Sequence, residues 1–321
     1  MGVIVPNHND KAFLSDCLQS TLLQTEPFDQ LIYVDDCSTD ESLEYAKEIL
    51  KQRKEAVLIH SEKREGTVAA LKKGLQASDT DYVLFLSSND FINLQLVERF
   101  KETITGDIGV WSALSTNIST DGKNIWPRPS PVISQAPRVF DPFGARRMLS
   151  TYTNWFSGTT LLFNRKHLED IGGLPVRLGG LADWLAATML CAKHGMIFLP
   201  EILGFVREHR NNYLSQTLAD CGTSLEKSVD DYLSEHKEKA KLSQDILKKL
   251  KARIRFNVAK ARSIELSKKE ISVDIFSLNW SRLKIFMLLV LLQGRHVFIW
   301  LYAKHFLYRI VFNKFLNEKC L

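Results

Sequence analysis

The sequence predicts an α/β domain built on a mostly parallel, Rossmann-like sheet flanked by helices, with a helical extension towards the C-terminal end. Two observations predict this class. Short, uninterrupted apolar runs alternate with helical patterns over the first hundred residues, which is typical of βαβ units and of strands buried on both faces. The composition, with 45% hydrophobic and 25% charged residues, is ordinary for a globular protein and excludes disordered and collagen-like chains.

Four apolar runs are the predicted strands of the N-terminal sheet, because each is continuous and short enough for a strand. They cover residues 3–5, 31–34, 56–59 and 82–86. Apolar side chains at helical spacing predict a first helix over 13–22. The second helix is predicted to begin with the capping box Ser38-Thr39-Asp40-Glu41, and a third follows Gly66 and runs through 68–75.

Residues 119–150 interrupt this alternation, because five of the nine prolines fall within them. We therefore predict a long loop there, and loops of this length inside a domain are usually functional or disordered. Four arginines make an anion-contacting lid one interpretation, and a solvated insertion is the other. These arginines are Arg128, Arg138, Arg146 and Arg147.

The pattern resumes after this loop, with a strand over 159–163, a short helix ending at Gly172-Gly173 and a helix over 181–194 closed by Gly195. Two last strands are predicted over 196–199 and 203–206. Residues 216–270 are polar and charge-rich, which favours a helical connector. The predicted divisions are therefore a main domain over 1–215, the connector over 216–270 and a C-terminal segment over 271–321.

The positive charge of the chain lies at its C-terminal end. The net charge is +5, yet residues 1–210 sum to −4 and residues 241–321 to +12. In the C-terminal segment basic residues alternate with aromatic ones, and its longest apolar run, over 285–292, is too short to cross a bilayer. This pattern favours peripheral contact with an anionic membrane surface over nucleic-acid binding. A helical pair packed on the main domain or on a partner chain is the alternative.

The five cysteines are widely separated and form no C-x-x-C pair, which argues against a disulfide framework or a zinc knuckle. Residues 1–6 lack the charged and apolar regions of a signal peptide. We therefore expect a cytoplasmic protein, held peripherally on the inner face of the cytoplasmic membrane.

Polar residues follow each of the four predicted N-terminal strands. In open α/β sheets ligands bind outside the carboxyl ends of the strands, although Asp and Asn are also common turn residues. Neither G-x-G-x-x-G nor a P-loop occurs, so glycine backbone does not cradle phosphates. A bound diphosphate would then need cations, and oxygens at Asp36, Asn89 and Asp90 are candidate ligands for a divalent metal.

Over roughly residues 2–215 the chain resembles family-2 glycosyltransferases of the GT-A fold. Val3-Ile4-Val5-Pro6-Asn7-His8-Asn9 is similar to the opening strand and P-x-x-N turn of that family. The run from Leu31 to Asp40 is similar to an apolar strand that continues into D-D-x-S-x-D. Arg64-Glu65-Gly66 and the Ala70-to-Gly74 run match the following loop and helix more loosely, since Arg64 and Lys72 stand where asparagines are usual.

The resemblance implies a site for a nucleotide-diphosphate sugar and a divalent metal, Mn²⁺ or Mg²⁺. The metal motif D-x-D would fall on Ser87-Ser88-Asn89, so both usual carboxylates are absent and metal dependence is less secure. The late R-x-H motif adds His209 to Asn89 and Asp90 as a metal ligand. The implied sugar-nucleotide contacts are Pro6, Asn7, Asn9, Asp35, Asp36, Arg64, Lys72 and Ser88.

The resemblance also implies a catalytic base at Asp183, which matches the second acid of the family's E-D motif, with Ala182 in place of the first. An inverting reaction needs a carboxylate that takes the proton of the acceptor hydroxyl. An N-terminal capping role for Asp183 is the structural alternative. The expected activity is inverting sugar transfer to a hydroxyl of a glycan or lipid-linked acceptor. The alternatives are a catalytically silent binding or scaffold protein and, with less support, a nucleotidyltransferase.

Overall fold

The computed structural model describes residues 1–128, 130–208, 217–218, 222–238 and 240–270, with side chains to 259. The chain divides into two compact units, residues 1–263 and residues 264–321. Within the second unit only residues 264–270 are described, and they are helical. His209 and the predicted basic segment over 271–321 lie outside the described residues.

A mixed sheet of ten strands forms the centre of the first unit. Its order is β3-β2-β1-β4-β9-β6-β10-β5, with β7 beside β6 and β8 beside β10. The strands are β1 Gly2–Asn7, β2 Gln30–Asp35, β3 Ala56–His60, β4 Tyr82–Phe85, β5 Phe91–Ile92, β6 Val110–Ser119, β7 Ile125–Pro127, β8 Arg138–Phe140, β9 Leu161–Asn164 and β10 Met196–Glu208.

Strands β1 to β4 are mutually parallel, which confirms the four predicted N-terminal strands and their βαβ connections. The second half of the sheet is different. Strand β9 runs antiparallel to both of its neighbours, β4 and β6, and β5 and β8 run antiparallel to β10. The sheet as a whole is therefore mixed, and the predicted parallel arrangement holds for its N-terminal half.

Nine helices are described, besides 3-10 turns at Gly158–Thr160 and Val176–Leu181. They are α1 Lys11–Leu22, α2 Ser42–Leu50, α3 Thr67–Ala77, α4 Leu96–Thr103, α5 Pro142–Tyr152, α6 Arg165–Asp170, α7 Ala182–His194, α8 Gly222–His236 and α9 Gln244–Glu270.

Two buried apolar clusters cover the two faces of the sheet. Successive side chains of β1 alternate between them, since Ile4 belongs to one cluster and Val3 and Val5 to the other. Helices α3, α5 and α7 bury apolar residues in the first cluster, and α1, α2 and α4 do so in the second. The fold is thus three-layered, which leaves the carboxyl ends of the central strands as the place where loops converge.

The predicted capping box of the second helix is wrong. Helix α2 begins at Ser42, four residues later than predicted, and Glu41 before it has a left-handed φ of 67°. The Asp40 carboxylate accepts hydrogen bonds from the N–H groups of Ser42 and Lys11, at 3.2 and 2.8 Å. Asp40 therefore ties the loop after β2 to the starts of α1 and α2, and the side chain of Glu41 does not cap α2.

The proline-rich stretch over 119–150 is not one long loop. Strands β7 and β8 pair with β6 and β10, and helix α5 begins at Pro142 after an Asp141 cap that accepts the Gly144 N–H at 2.7 Å. Proline suits the first turn of a helix because its missing N–H has no partner there. The predicted strands over 196–199 and 203–206 are likewise one strand, β10, with register shifts between Leu199 and Gly204.

Helices α8 and α9 belong to the packing of the first unit. Tyr232 of α8 and Leu250 and Ile254 of α9 are almost fully buried, in the same cluster as the residues of α3 and α7. The sequence of this stretch has few large apolar residues, yet those present lie on the buried faces of the two helices. These residues pack α8 and α9 against the rest of the domain.

Candidate active site at the carboxyl ends of the strands

A cavity of about 440 Å³ opens where β1 and β4 end. Pro6 of β1 and Ser87, just after β4, line it on the strand side. Helices α3, α7 and α9, the turn Gly158–Thr160 and several loops, among them the one with Arg128, supply further walls. Among the described residues, the charged ones in the wall are Asp90, Arg128, Asp183 and Arg253. The structure thus brings together three predicted site residues, Pro6, Asp90 and Asp183, and one arginine of the proline-rich stretch, Arg128.

Asp90 joins distant parts of the fold at this cavity. Its Oδ1 accepts the backbone N–H of Arg207 at 2.9 Å, and its Oδ2 accepts the hydroxyl of Thr159 at 3.0 Å. Burial raises the pKa of Asp90 to about 6, although these two hydrogen bonds and the charges of Arg128 and Arg207 act in the opposite direction. Both oxygens of this carboxylate therefore already have protein donors.

Asp183 lies in the first turn of α7, with its carboxylate at the cavity. Its Oδ1 accepts the N–H of Trp184 at 2.7 Å. A Cβ placed on Gly158 would lie 3.1 Å from its Oδ2, so the glycine leaves room for the carboxylate. Burial raises the pKa of Asp183, and Arg128 partly offsets the rise. A raised pKa makes a carboxylate a better proton acceptor once it is ionised.

Arg128 is the one arginine of the proline-rich stretch that lines the cavity. Burial lowers its pKa, while the charges of Asp90, Glu208 and Asp183 raise it. Its Nη1 donates to Asn117 Oδ1 at 3.3 Å. The other three arginines lie elsewhere; Arg146, for example, donates to the carbonyl of Ala192 at 2.7 Å. The predicted four-arginine lid therefore reduces to a single cation at the cavity.

Asp36 uses both oxygens inside the protein. They accept the N–H groups of Glu65 and Gly66, each at 2.8 Å, and the residue is 3% exposed. Gly66 has a φ of 93°, a conformation that favours glycine. Asp36 thereby fixes the turn before α3, whose first residue, Thr67, lines the cavity. Its own carboxylate does not line it.

Asp35 lies beneath the same loops and is fully buried. It accepts the Ser38 N–H at 3.0 Å and the Asn7 amide at 3.3 Å, and His60 Nδ1 lies 3.1 Å away. Burial acts to raise the pKa of Asp35, but these hydrogen bonds together hold it below its usual value. This carboxylate therefore organises the strand ends.

The other predicted sugar-nucleotide contacts also hold loops together. Asn7 donates to Ser38 Oγ at 2.9 Å, Asn9 Oδ1 accepts the Thr39 N–H at 2.7 Å, and the Ser88 hydroxyl donates to Asp10 at 2.6 Å. Arg64 and Lys72 are exposed, and neither contributes to the cavity wall. Their roles in sugar-nucleotide binding stay predictions.

The sequence analysis missed Arg207, which lies 5% exposed at the end of β10. Its guanidinium donates to the carbonyls of Asn89 and Thr120, at 3.0 and 2.9 Å, and to Asp16 at 2.6 Å. Its one signal in the sequence is the late R-x-H motif, of which only His209 is a predicted site residue. Thr159 and the α9 residues at the cavity have no motif at all.

The predicted metal ligands do not make a metal site among the described residues. Ser87 Oγ donates to Asn89 Oδ1 at 2.7 Å, and Asp90 has two protein donors. Across the described part of the chain, no three His, Cys, Asp or Glu residues are grouped so that they could hold a metal ion. His209 lies outside the described residues, so the predicted metal site stays a prediction.

A family model described as "Glycosyl transferase family 2" matches residues 2–172 of the 321. The chain belongs to this family. The match confirms the resemblance read from the strand-end motifs, and it covers β1 to β4 with their polar ends.

Curated family-2 relatives come from several bacteria. An uncharacterised glycosyltransferase of Haemophilus influenzae is 33% identical over 99 residues, 31% of this chain and 40% of the relative. A putative teichuronic acid biosynthesis glycosyltransferase of Bacillus subtilis, TuaG, is 32% identical over 90 residues, 28% of this chain and 36% of the relative. An uncharacterised glycosyltransferase of Nostoc is 27% identical over 225 residues, 68% of each chain. The chain thus spans about two fifths of the length of the first two relatives.

Solved structures show the same fold. The crystal structure of S. aureus TarS 1-349 in complex with UDP-GlcNAc has a TM-score of 0.55 at 17% identity, covering 84% of this chain and 91% of that one. The mannosyltransferase PcManGT of Pyrobaculum calidifontis, in complex with GDP-Man and Mn²⁺, has a TM-score of 0.56 at 16% identity, covering 91% and 80%. The predicted GT-A fold is thereby confirmed.

Within the described residues of this family-2 chain, no helix combines the length and the apolar character that a membrane span requires.

Proposed function

We propose that this family-2 protein is an inverting glycosyltransferase, which moves a sugar from a nucleotide diphosphate to a hydroxyl group of an acceptor. One observation carries the proposal. Asp183, in the first turn of α7, lines the same cavity as Pro6 and Ser87, which come from the strand ends where the family's donor motifs lie. Asp183 thus shares a cavity with Pro6 of the P-x-x-N turn and with Ser87 at the position of the D-x-D motif, and direct transfer requires the base and the donor to meet in one place.

In the proposed reaction the acceptor oxygen attacks the anomeric carbon from the face opposite the leaving group. The bond between that carbon and the diphosphate oxygen breaks, and its electron pair leaves with the nucleoside diphosphate. The proton of the acceptor hydroxyl passes to the Asp183 carboxylate. The raised pKa of Asp183 favours this acceptance, and the hydrogen bond from the Trp184 N–H orients the carboxylate.

The donor is proposed to be a nucleotide-diphosphate sugar, and complexes of neighbours with the same fold support this. Their structures carry UDP-GlcNAc, UDP and GDP-Man. Asp35, Asp36 and the loops they organise are proposed to shape the nucleotide subsite. Arg128 is the proposed cation for the diphosphate, because it lines the cavity beside Asp90.

A divalent metal is assigned no step in this proposal. The oxygens at Asn89 and Asp90 already accept hydrogen bonds within the protein. The Mn²⁺ in the mannosyltransferase complex belongs to that protein. Donor binding and turnover measured with Mn²⁺ and with a chelator test directly whether a metal takes part.

The acceptor is proposed to be a glycan or a lipid-linked glycan. Teichuronic acid biosynthesis in the name of one relative supports this class. Peripheral contact of residues 271–321 with an anionic membrane surface, on the cytoplasmic side, is proposed from their basic and aromatic composition.

The test is a panel of UDP- and GDP-sugars, measured for thermal stabilisation and for release of free nucleotide, with and without Mn²⁺ and with a chelator. A donor should raise the melting temperature, because a ligand that binds only the folded state stabilises it, and the same donor should be turned over. Stabilisation without any turnover would instead favour the catalytically silent binding protein. No stabilisation by any nucleotide sugar would contradict the proposal.

A further inference from the structure

Helix α9 contributes two polar side chains to the cavity, Arg253 and Asn257. They are four residues apart and therefore lie on one face of the helix. The hydrogen bonds and ion pairs of the α9 residues 249–255 lead to α8, to the C-terminal end of α5 and to Asp245 of α9 itself. These two side chains thus line the cavity from a helical wall, whereas Pro6 and Ser87 line it from the strand ends.

Arg253 differs from the basic residues next to it on α9. Lys249 pairs with Asp245 at 2.8 Å, Lys251 with Asp230 at 2.8 Å and Arg255 with Glu226 at 3.4 Å. Arg253 donates from Nη1 to the neutral hydroxyl of Thr153 at 3.2 Å, and it has no ion pair with a carboxylate among the described residues.

The charge of Arg128, the other arginine of the cavity, is partly compensated by nearby carboxylates. Arg128 interacts with the charges of Asp90, Glu208 and Asp183. Partial burial lowers the pKa of Arg253, and no nearby carboxylate opposes this fall. The α9 wall therefore presents an exposed guanidinium that has no carboxylate partner among the described residues, beside the amide of Asn257. Such a pair of donors suits a phosphate or carboxylate group.

We propose that Arg253 and Asn257 form a subsite for a phosphate or carboxylate group of the acceptor, so that the acceptor is an anionic glycan. This rests on the proposed function, because Asp183 in the same cavity marks where the acceptor hydroxyl reacts. The subsite selects acceptors by charge, and the donor diphosphate binds at the strand ends.

The experiment measures binding of glucose 6-phosphate, glucuronate and glucose to the full chain by ligand-observed NMR, with the nucleotide subsite filled by saturating UDP or GDP. It compares the wild type with Arg253→Gln, with Arg253→Lys and with the matched control Arg255→Gln, whose arginine is paired with Glu226 and does not line the cavity. Titrations of UDP and GDP into each variant form a separate arm.

The wild type and Arg255→Gln should bind an anionic probe more tightly than glucose. Arg253→Gln should weaken that binding by about tenfold, as expected for a lost charge-assisted hydrogen bond, and Arg253→Lys should recover part of it. Nucleotide affinity should stay unchanged in all variants.

Equal anion binding in Arg253→Gln and Arg255→Gln would overturn the subsite, as would a wild type that does not prefer the anions. A loss of nucleotide affinity in Arg253→Gln would also overturn it, since the guanidinium would then serve the donor diphosphate. If no nucleotide binds any variant, the proposed function fails, whereas the anion titrations without nucleotide still decide the subsite.

Discussion

Asp90 Oδ1 accepts the backbone N–H of Arg207 at 2.9 Å, and this bond joins the turn after β4 to the end of β10. Strands β4 and β10 are separated by β9 and β6 in the sheet. The other oxygen of Asp90 accepts the Thr159 hydroxyl, in the turn that runs beside Asp183. The buried carboxylate of Asp90 thereby links three segments at the cavity: the turn after β4, the turn Gly158–Thr160 and the end of β10.

Two replacements of Asp90 should distinguish the contribution of its hydrogen bonds to stability from the contribution of its charge. Asp90→Ala leaves the buried Arg207 N–H without an acceptor, and we expect a loss of about 1–3 kcal/mol in the free energy of unfolding. Asp90→Asn can keep both contacts, because its amide oxygen can accept from Arg207 and its NH₂ can donate to Thr159. Urea unfolding of both variants measures the difference, and equal losses would show that the charge itself stabilises the fold.

The same pair of variants separates a structural role from metal binding. If Asp90 is a metal ligand, Asp90→Asn should weaken nucleotide binding in Mn²⁺ and have little effect in chelator. We expect nucleotide affinity to be similar with Mn²⁺ and with chelator in both the wild type and Asp90→Asn, since both carboxylate oxygens already have protein donors. Calorimetric titration of the nucleotide in the two buffers makes the comparison.

Gly158→Ala should disturb the proposed base without disturbing the donor. The new methyl group would lie 3.1 Å from Asp183 Oδ2, so the carboxylate must move by a few tenths of an ångström. We expect kcat to fall by about tenfold while the Kd of the nucleotide is retained, because misplacement of a reacting group lowers the rate steeply. Steady-state turnover together with nucleotide titration measures both quantities.

A double variant is the control for this effect. In an Asp183→Asn background, Gly158→Ala should have no further effect on kcat, because both changes act through one side chain. Additive losses would mean that the methyl group acts elsewhere.

The pH dependence of turnover should show the ionisation of Asp183. Burial raises its pKa above the usual 3.8, and the base works only when it is ionised. The rate should therefore rise with increasing pH through the raised pKa. Rates measured under single-turnover conditions across the acidic range test this, and a rate that does not fall on acidification would contradict the role of Asp183.

A histidine pair remote from the cavity should contribute a loss of stability on mild acidification. The rings of His167 and His194 stack with their centroids 3.5 Å apart, and burial, aided by the charges of His167 and Lys193, lowers the pKa of His194 to about 4. Between pH 6.5 and about 4 the unfolded chain binds the proton more readily than the folded chain, so acidification through this range destabilises the fold.

Burial raises the pKa of Asp90 to about 6, which acts on stability in the opposite direction over the same pH range. The contribution of His194 is therefore measured as a difference between variants. His194→Phe keeps an aromatic ring for stacking and removes the titrating group, so on going from pH 7 to pH 5 its melting temperature should fall less, or rise more, than that of the wild type. An unchanged pH dependence in this variant would assign the effect to other groups.

The part of the site that was predictable from sequence lies in local, consecutive motifs. Pro6 lies near the end of β1, Asp90 in the turn after β4 and Asp183 in the first turn of α7, so the chain order alone points to one edge of the sheet. Sequence could not show that Asp36 uses its carboxylate on the N–H groups of Glu65 and Gly66, because an acidic side chain at a strand end looks the same whether it binds a ligand or a turn.

The missed residues depend on contacts between elements far apart in the chain. Arg207 reaches Asp16 across 191 positions, and Arg253 reaches the cavity only because α9 packs its apolar face against the domain. No local pattern reports such pairings. The mixed half of the sheet was unpredictable for the same reason, since β9 enters antiparallel between two strands that precede it in the chain.

The most direct test of the account is turnover and donor binding of Asp183→Asn, measured with the nucleotide sugar that the donor panel identifies. We expect a loss of at least about a hundredfold in kcat, because a positioned general base is removed, with the Kd of the donor retained within about twofold. Turnover close to that of the wild type, or a loss of donor binding that matches the loss of turnover, would contradict it.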